Sequence, residues 1–181
     1  MTNKRICVLL LILTITGVAT HAQIQRSFFG GIELGRSTKN EVISFLNNSG
    51  WDYDTNMGGF DAIGVNENVG LGGYMWSPSF SFYNSILSDL LLVIPNIGID
   101  RNGHYSDESG NNTFIFYNLK QRLKEKYSSA ENIVNPQNPT HMLILRDNQT
   151  LIMLELTDEK VIRLTYSDRK LLRMMRSGSD L

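Results

Sequence analysis

Cysteine is nearly missing from this chain. Cys7 is the single one among 181 residues, and it lies at the start of an apolar N-terminal run. The remainder therefore offers no disulfide, no thiolate nucleophile and no sulfur ligand for a metal. Histidine is scarce too: His21, His104 and His141 are the only three, and neither of the last two has a second histidine three or four residues away. No G-x-S-x-G nucleophile elbow occurs. Charge of one sign is also absent. With 17 basic and 18 acidic residues the formal net charge is −1, which excludes the strongly basic surface that nucleic acid requires. Beyond the N-terminus no apolar run is long enough for a transmembrane helix. Ile86–Ile94 has strand length, and Asp89 interrupts it. These absences point away from a cofactor, a metal and a catalytic site.

What is present begins with a processing signal. Lys4 and Arg5 form a positive n-region, Ile6–Val18 an apolar h-region, and Thr20-His21-Ala22 a small-residue cleavage site. This pattern predicts a secretory signal peptide over residues 1–22, cut between Ala22 and Gln23, and a secreted or periplasmic product. A lipid-anchor cysteine would follow the h-region, whereas Cys7 opens it. Residues 23–181 then suit one domain.

Phe28–Gly50 organises the remainder. Phe28–Leu34 reads as a first strand. Thr38 with Glu41 fits a capping box, Val42, Ile43, Phe45 and Leu46 form an apolar stripe, and Gly50 stands at the C-cap position. Such a short helix needs a sheet to cover. From Gly58 the period changes to two. Phe60–Val65, Val69–Trp76, Ser79–Tyr83 and Ile86–Ile94 read as strands, with Asn66–Asn68, Ser77-Pro78 and Asn84-Ser85 as turns or edges. Pro95–Gly110 is polar and turn-rich. A second helix is predicted over about Asn112–Tyr127, capped by Thr113, with Phe116, Leu119, Leu123 and Tyr127 as its stripe. Ser128–Thr140 reads as a loop. Met142–Arg146, Leu151–Leu156 and Val161–Tyr166 form a meander, and Ser167–Arg176 a last helix. The fold class is therefore α+β: an antiparallel sheet covered by two or three helices. Residues 28–95 and 111–176, joined by the polar loop 96–110, share a plan of helix followed by antiparallel strands, which leaves a tandem repeat open.

Candidate chemistry is sparse. His104 with Asp107 and Glu108 forms a conceivable zinc set, but a solvated loop explains it more simply. Asp100, Asn102 and Gly103 resemble the start of a calcium loop, yet the glycine comes at the fourth position and no glutamate closes the register. Gly70, Gly72 and Gly73 are followed by neither helix nor lysine, so they indicate a bulged strand and not a phosphate loop. Arg169, Lys170, Arg173 and Arg176 lie opposite Leu171, Leu172, Met174 and Met175. That helix could rest on anionic lipid, but packing on the sheet is the simpler reading. Trp51, Tyr74, Trp76 and Tyr83 are the candidate partner-binding residues, because aromatics on a free sheet face serve as anchors. The competing reading packs them beneath the helices.

The segment LGRSTKNEVISFL resembles the G-x-[ST]-x-x-E-V-x-x-L helix entry of the SmpA/BLIP-like class of small exported Gram-negative proteins. The pattern Leu119/Leu123/Lys126/Tyr127 and the ending Leu164/Tyr166/Asp168 are similar to uncharacterised secreted proteins of the same rhythm. The chain lacks the lipobox cysteine of the lipoproteins in that class and the disulfides of its β-lactamase inhibitor. The resemblance implies a helix-then-antiparallel-sheet plan and a non-catalytic habit of binding a protein partner of the envelope. Small-ligand or glycan carriage is the alternative, followed by a small hydrolase using acids of the Pro95–Gly110 loop.

Overall fold

The computed structural model describes residues 23–55, 57, 59–95, 110–138 and 140–178. The expected signal peptide lies outside the described residues, as do Asp100, Asn102, Gly103, His104, Asp107 and Glu108.

The first helix, α1 (Lys39–Ser49), forms as its residues dictate. Thr38 Oγ1 accepts from the Glu41 N–H at 3.2 Å, and the Glu41 carboxylate accepts from the Thr38 N–H at 2.7 Å. The Thr38 N–H and the Thr38 hydroxyl, both donating to the Glu41 carboxylate, hold that carboxyl below its ordinary range. Val42 and Leu46 are its fully buried residues, and Gly50 caps its end. The segment before it is not the single strand expected over Phe28–Leu34. Phe29 (φ 51°) and Gly30 (φ 81°) reverse the chain, so β1 (Ser27–Phe28) pairs with β2 (Ile32–Glu33) as a separate small hairpin. The reversal brings Phe28, Ile32 and Leu34 into one core.

One antiparallel sheet carries the other strands. They are β3 (Tyr53–Asp54), β4 (Ala62–Val65), β5 (Val69–Leu71), β6 (Tyr74–Tyr83), β7 (Ile86–Ile94), β8 (Glu131–Ile133), β9 (Met142–Arg146), β10 (Thr150–Leu156) and β11 (Ile162–Asp168). Their spatial order is β3-β4-β6-β7-β11-β10-β9-β8, with β5 beside β6. Each half of the chain enters at an outer edge and walks inward, and the halves meet where β7 pairs with β11. The second half is introduced by α2 (Gly110–Lys126), as the first is by α1.

Local chemistry accounts for the departures from expectation. Val69–Trp76 is two strands, because Gly72 (φ 62°) and Gly73 (φ 88°) supply the positive dihedrals of a two-residue hairpin turn. Ser77-Pro78 is not a turn but the middle of β6. Pro78 lies where β5 has stopped pairing at Trp76 and β4 has not begun at Ser79. On that side there is no ladder for its missing N–H to break. The Ser128–Thr140 loop contains β8, an edge strand too short to show a period. Helix α2 starts before Asn112, which leaves Thr113 inside the first turn and not at a cap.

The core lies on one face of the sheet. Ile63, Phe80, Leu90, Tyr166, Ile152 and Leu145 are successive register partners from β4 to β9. All are buried in one cluster with Val42 and Leu46 of α1 and Phe116, Leu119 and Leu123 of α2. Tyr127, just past α2, joins them. At one end of the sheet α3 (Arg169–Ser177) begins with Asp168 as its N-cap, whose Oδ1 accepts from the Leu171 N–H at 2.8 Å. Asp168 Oδ2 also pairs with Arg26 at 2.6 Å, both side chains being largely buried. Gly35 is required there. Its φ is 76°, and a Cβ would lie 2.2 Å from Asp168 Oδ2 and 2.4 Å from the Arg26 guanidinium.

Candidate functional site

The other face of the sheet is built from the alternate residues of the same strands. Gly64, Ser79, Leu91, Thr165, Met153, Ile144 and Ile133 are successive partners from β4 to β8, and all are half-buried. None belongs to the core cluster beneath α1 and α2. A second row, Val93–Arg163–Glu155–Met142, flanks it on one side. A third, Asp89–Ser167–Leu151–Arg146–Glu131, flanks it on the other. Antiparallel sheets with one solvated face alternate apolar and polar residues. Here the middle row is apolar from β7 to β8, apart from Thr165.

Charge is confined to the flanks. Arg146 grips Glu131 with two hydrogen bonds of 2.6 and 2.8 Å. That bidentate bond pulls the Glu131 carboxyl below its ordinary range, assisted by the positive charge of Arg169 on α3, and raises Arg146. On the other flank Arg163 and Glu155 stand 4.0 Å apart. An apolar strip rimmed by satisfied charges is the anatomy of a protein-binding patch.

No family model, curated protein or solved structure matches this chain.

The sequence-selected aromatics do not converge. Trp51 packs edge-on against Phe29 and Phe45 beside α1, at ring-centroid distances of 5.4 and 5.5 Å. Tyr74 and Trp76 do share a face and touch, with centroids 6.4 Å apart, but it is the helix-covered face. Trp76 is only 2% exposed, and its indole N–H donates to the Leu71 carbonyl at 3.0 Å. Tyr83 alone follows Ser77, Ser79 and Ser81 in the alternation on the uncovered side, where it is half-buried. Among the described residues no group of three or more histidine, cysteine or acidic side chains is placed to hold a metal ion.

The residues on the face opposite α1 and α2 carry a signal in the sequence that the choice of aromatics does not use. In β7 the run Leu90-Leu91-Leu92-Val93, and in β10 the run Leu151–Leu154, are apolar at both parities. In an antiparallel meander, continuous hydrophobicity marks a strand with two faces to cover.

Beneath the helices lies a buried tyrosine pair. Tyr166 sits edge-on to Phe28 at 4.9 Å and is 7% exposed. Burial raises its pKa, and Tyr127 beside it adds to the rise. The folded state therefore favours the neutral phenol. Its contribution to stability is complete below the ordinary tyrosine value of about 10 and is lost as pH climbs above it. Urea denaturation followed against pH should show stability falling above about pH 10, and Tyr166→Phe should flatten that fall. An unchanged alkaline limb in the variant would assign the titration to other groups.

Proposed function

We propose that this protein is an exported, non-catalytic binding module of the cell envelope, and that the uncovered sheet face docks a protein partner. The apolar row Leu91–Thr165–Met153–Ile144–Ile133, outside the core and framed by the Glu131–Arg146 and Glu155–Arg163 pairs, carries this reading. It agrees with the partner-binding habit implied by the SmpA/BLIP-like resemblance, and with export past the expected signal peptide. The partner presents a complementary apolar ridge, with the flanking charges fixing register more than affinity. No helix among the described residues is long and apolar enough to cross a membrane.

The test is cross-linking in envelope extract followed by comparison with the double substitution Ile144→Glu/Met153→Glu. The native chain should capture a defined partner, and the variant should lose at least tenfold of that capture. Its thermal midpoint should stay within a few degrees, as for substitutions away from a core. Capture that survives both carboxylates would overturn the assignment of this face. Size-exclusion chromatography of both proteins reports whether the occupant is a second copy.

A further inference from the structure

A cleft of about 430 Å³ opens on the opposite, helix-covered side of the sheet. It is unrelated to the proposed docking face. Its floor is Leu92, Leu164 and Tyr166 of the central strands. Leu119 and Leu123 of α2 form one wall, and Trp76 with Tyr74 the other. The cleft exists because β6 extends beyond β4. The β5–β6 hairpin therefore projects as an arm, and its Gly72-Gly73 turn reaches α2. Most floor and wall side chains are buried by their neighbours, and the cleft is half open to solvent. Its volume falls in the range of small-molecule sites, about 300–1,000 Å³.

The mouth is polar and carries two cations. Arg122 donates to the Gly72 carbonyl at 3.3 Å, and Lys126 donates to Gln25 Oε1 at 3.1 Å. Both bonds go to neutral oxygens, and neither cation forms an ion pair among the described residues. Glu125, the acid on the rim, accepts from the Gln121 amide at 2.7 Å. Lys126 also lies over the Tyr127 ring at 5.0 Å, and the rim, with Arg122 and Lys126 against Glu125, keeps one positive charge in excess. An apolar cleft beneath a net positive mouth is complementary to a single alkyl chain ending in an anion. We infer that the cleft binds an amphipathic anion of this kind, its chain lying between Leu119/Leu123 and Trp76 and its head group at Arg122 and Lys126. A free fatty acid and a lysophospholipid share that chemistry.

The test uses residues 23–181 after delipidation, with Trp51→Phe in the background so that Trp76 is the reporter. Saturated carboxylates of increasing length are titrated below their critical micelle concentrations, followed by Trp76 fluorescence and calorimetry. Affinity should rise about fourfold per added methylene until the chain outgrows the slot, then level off. The carboxylate should bind about tenfold tighter than the alcohol of equal length. Arg122→Glu/Lys126→Glu, at two exposed positions, should abolish that preference while leaving the circular dichroism unchanged. A lysophospholipid of equal chain length then identifies the source: tighter binding favours a membrane-derived ligand, weaker binding a free acid. No saturable binding, or equal affinity for acid and alcohol in the native chain, would overturn the inference. Ile144→Glu/Met153→Glu lies on the other face and should leave this binding intact, so the two readings fail independently.

Discussion

Asp168→Ala should destabilise the protein by about 4 kcal/mol, as measured by urea denaturation. Asp168 performs two tasks. Its Oδ1 caps α3, and removing such a cap costs about 1 kcal/mol. Its Oδ2 neutralises Arg26, whose guanidinium also donates to the carbonyls of Leu34 and Gln149 and to Thr150 Oγ1. With the carboxylate gone, a cation only 17% exposed keeps its hydrogen bonds but loses its counter-charge. Breaking a buried pair from one side costs about 3–5 kcal/mol. Asp168→Asn separates the two effects, because asparagine caps as well as aspartate. It should recover about 1 kcal/mol relative to alanine and leave the larger loss in place. A cost below 1 kcal/mol for alanine would show that the Arg26 guanidinium finds water instead. The location explains why the effect is large: this one side chain ties the N-terminal segment, the end of β11 and the start of α3 together.

Leu90→Ala and Leu91→Ala, at adjacent positions of β7, should differ by about 3 kcal/mol. Leu90 is fully buried between Phe80 and Tyr166. Truncating such a leucine costs about 3–5 kcal/mol in lost transfer energy and residual cavity. For a domain of this size that corresponds to roughly 10 °C in thermal midpoint. Leu91 points to the uncovered face between Ser79 and Thr165, and its neighbours can relax into water. Its truncation should cost about 1 kcal/mol or less. Comparable losses at both positions would mean that both faces are covered, and would remove the basis for a docking surface. The comparison is sharp because chemistry, strand and register are the same and only the face differs.

The legible and illegible parts of this chain divide on physical lines. The capping box at Thr38 and Glu41, the stripe Phe116–Tyr127 and the meander after Met142 all formed where their periods placed them. In each, one local interaction dominates. Gly72-Gly73 reads as a bulge in the sequence and is a turn in the fold, because glycine marks turns and bulges alike and only the pairing of Val69–Leu71 with Tyr74–Trp76 separates them. Pro78 reads as a turn or an edge, and the structure has it at a local edge inside β6, because a proline inside a long strand is tolerated only where a neighbour is missing. That gap between β5 and β4 is set by residues distant in sequence. The candidate aromatics were gathered by type, whereas packing separates them: Trp51 beside α1, Trp76 beneath α2, Tyr83 on the far side.

The amino-acid order by itself determined that helices alternate with antiparallel strands, that no cysteine chemistry is available beyond Cys7, and that α1 and α2 each carry a stripe in need of a sheet. These follow from periodicity, capping and composition, which act over a few residues. Only the tertiary structure decided which parity of each strand faces the helices. It alone left Leu91, Met153 and Ile144 half-buried outside the core beneath α1 and α2, and opened a cleft between α2 and the β5–β6 arm. The reason is that β7 and β10 are apolar at both parities, so burial of one face is chosen by where the helices can reach, and that is a property of the whole chain.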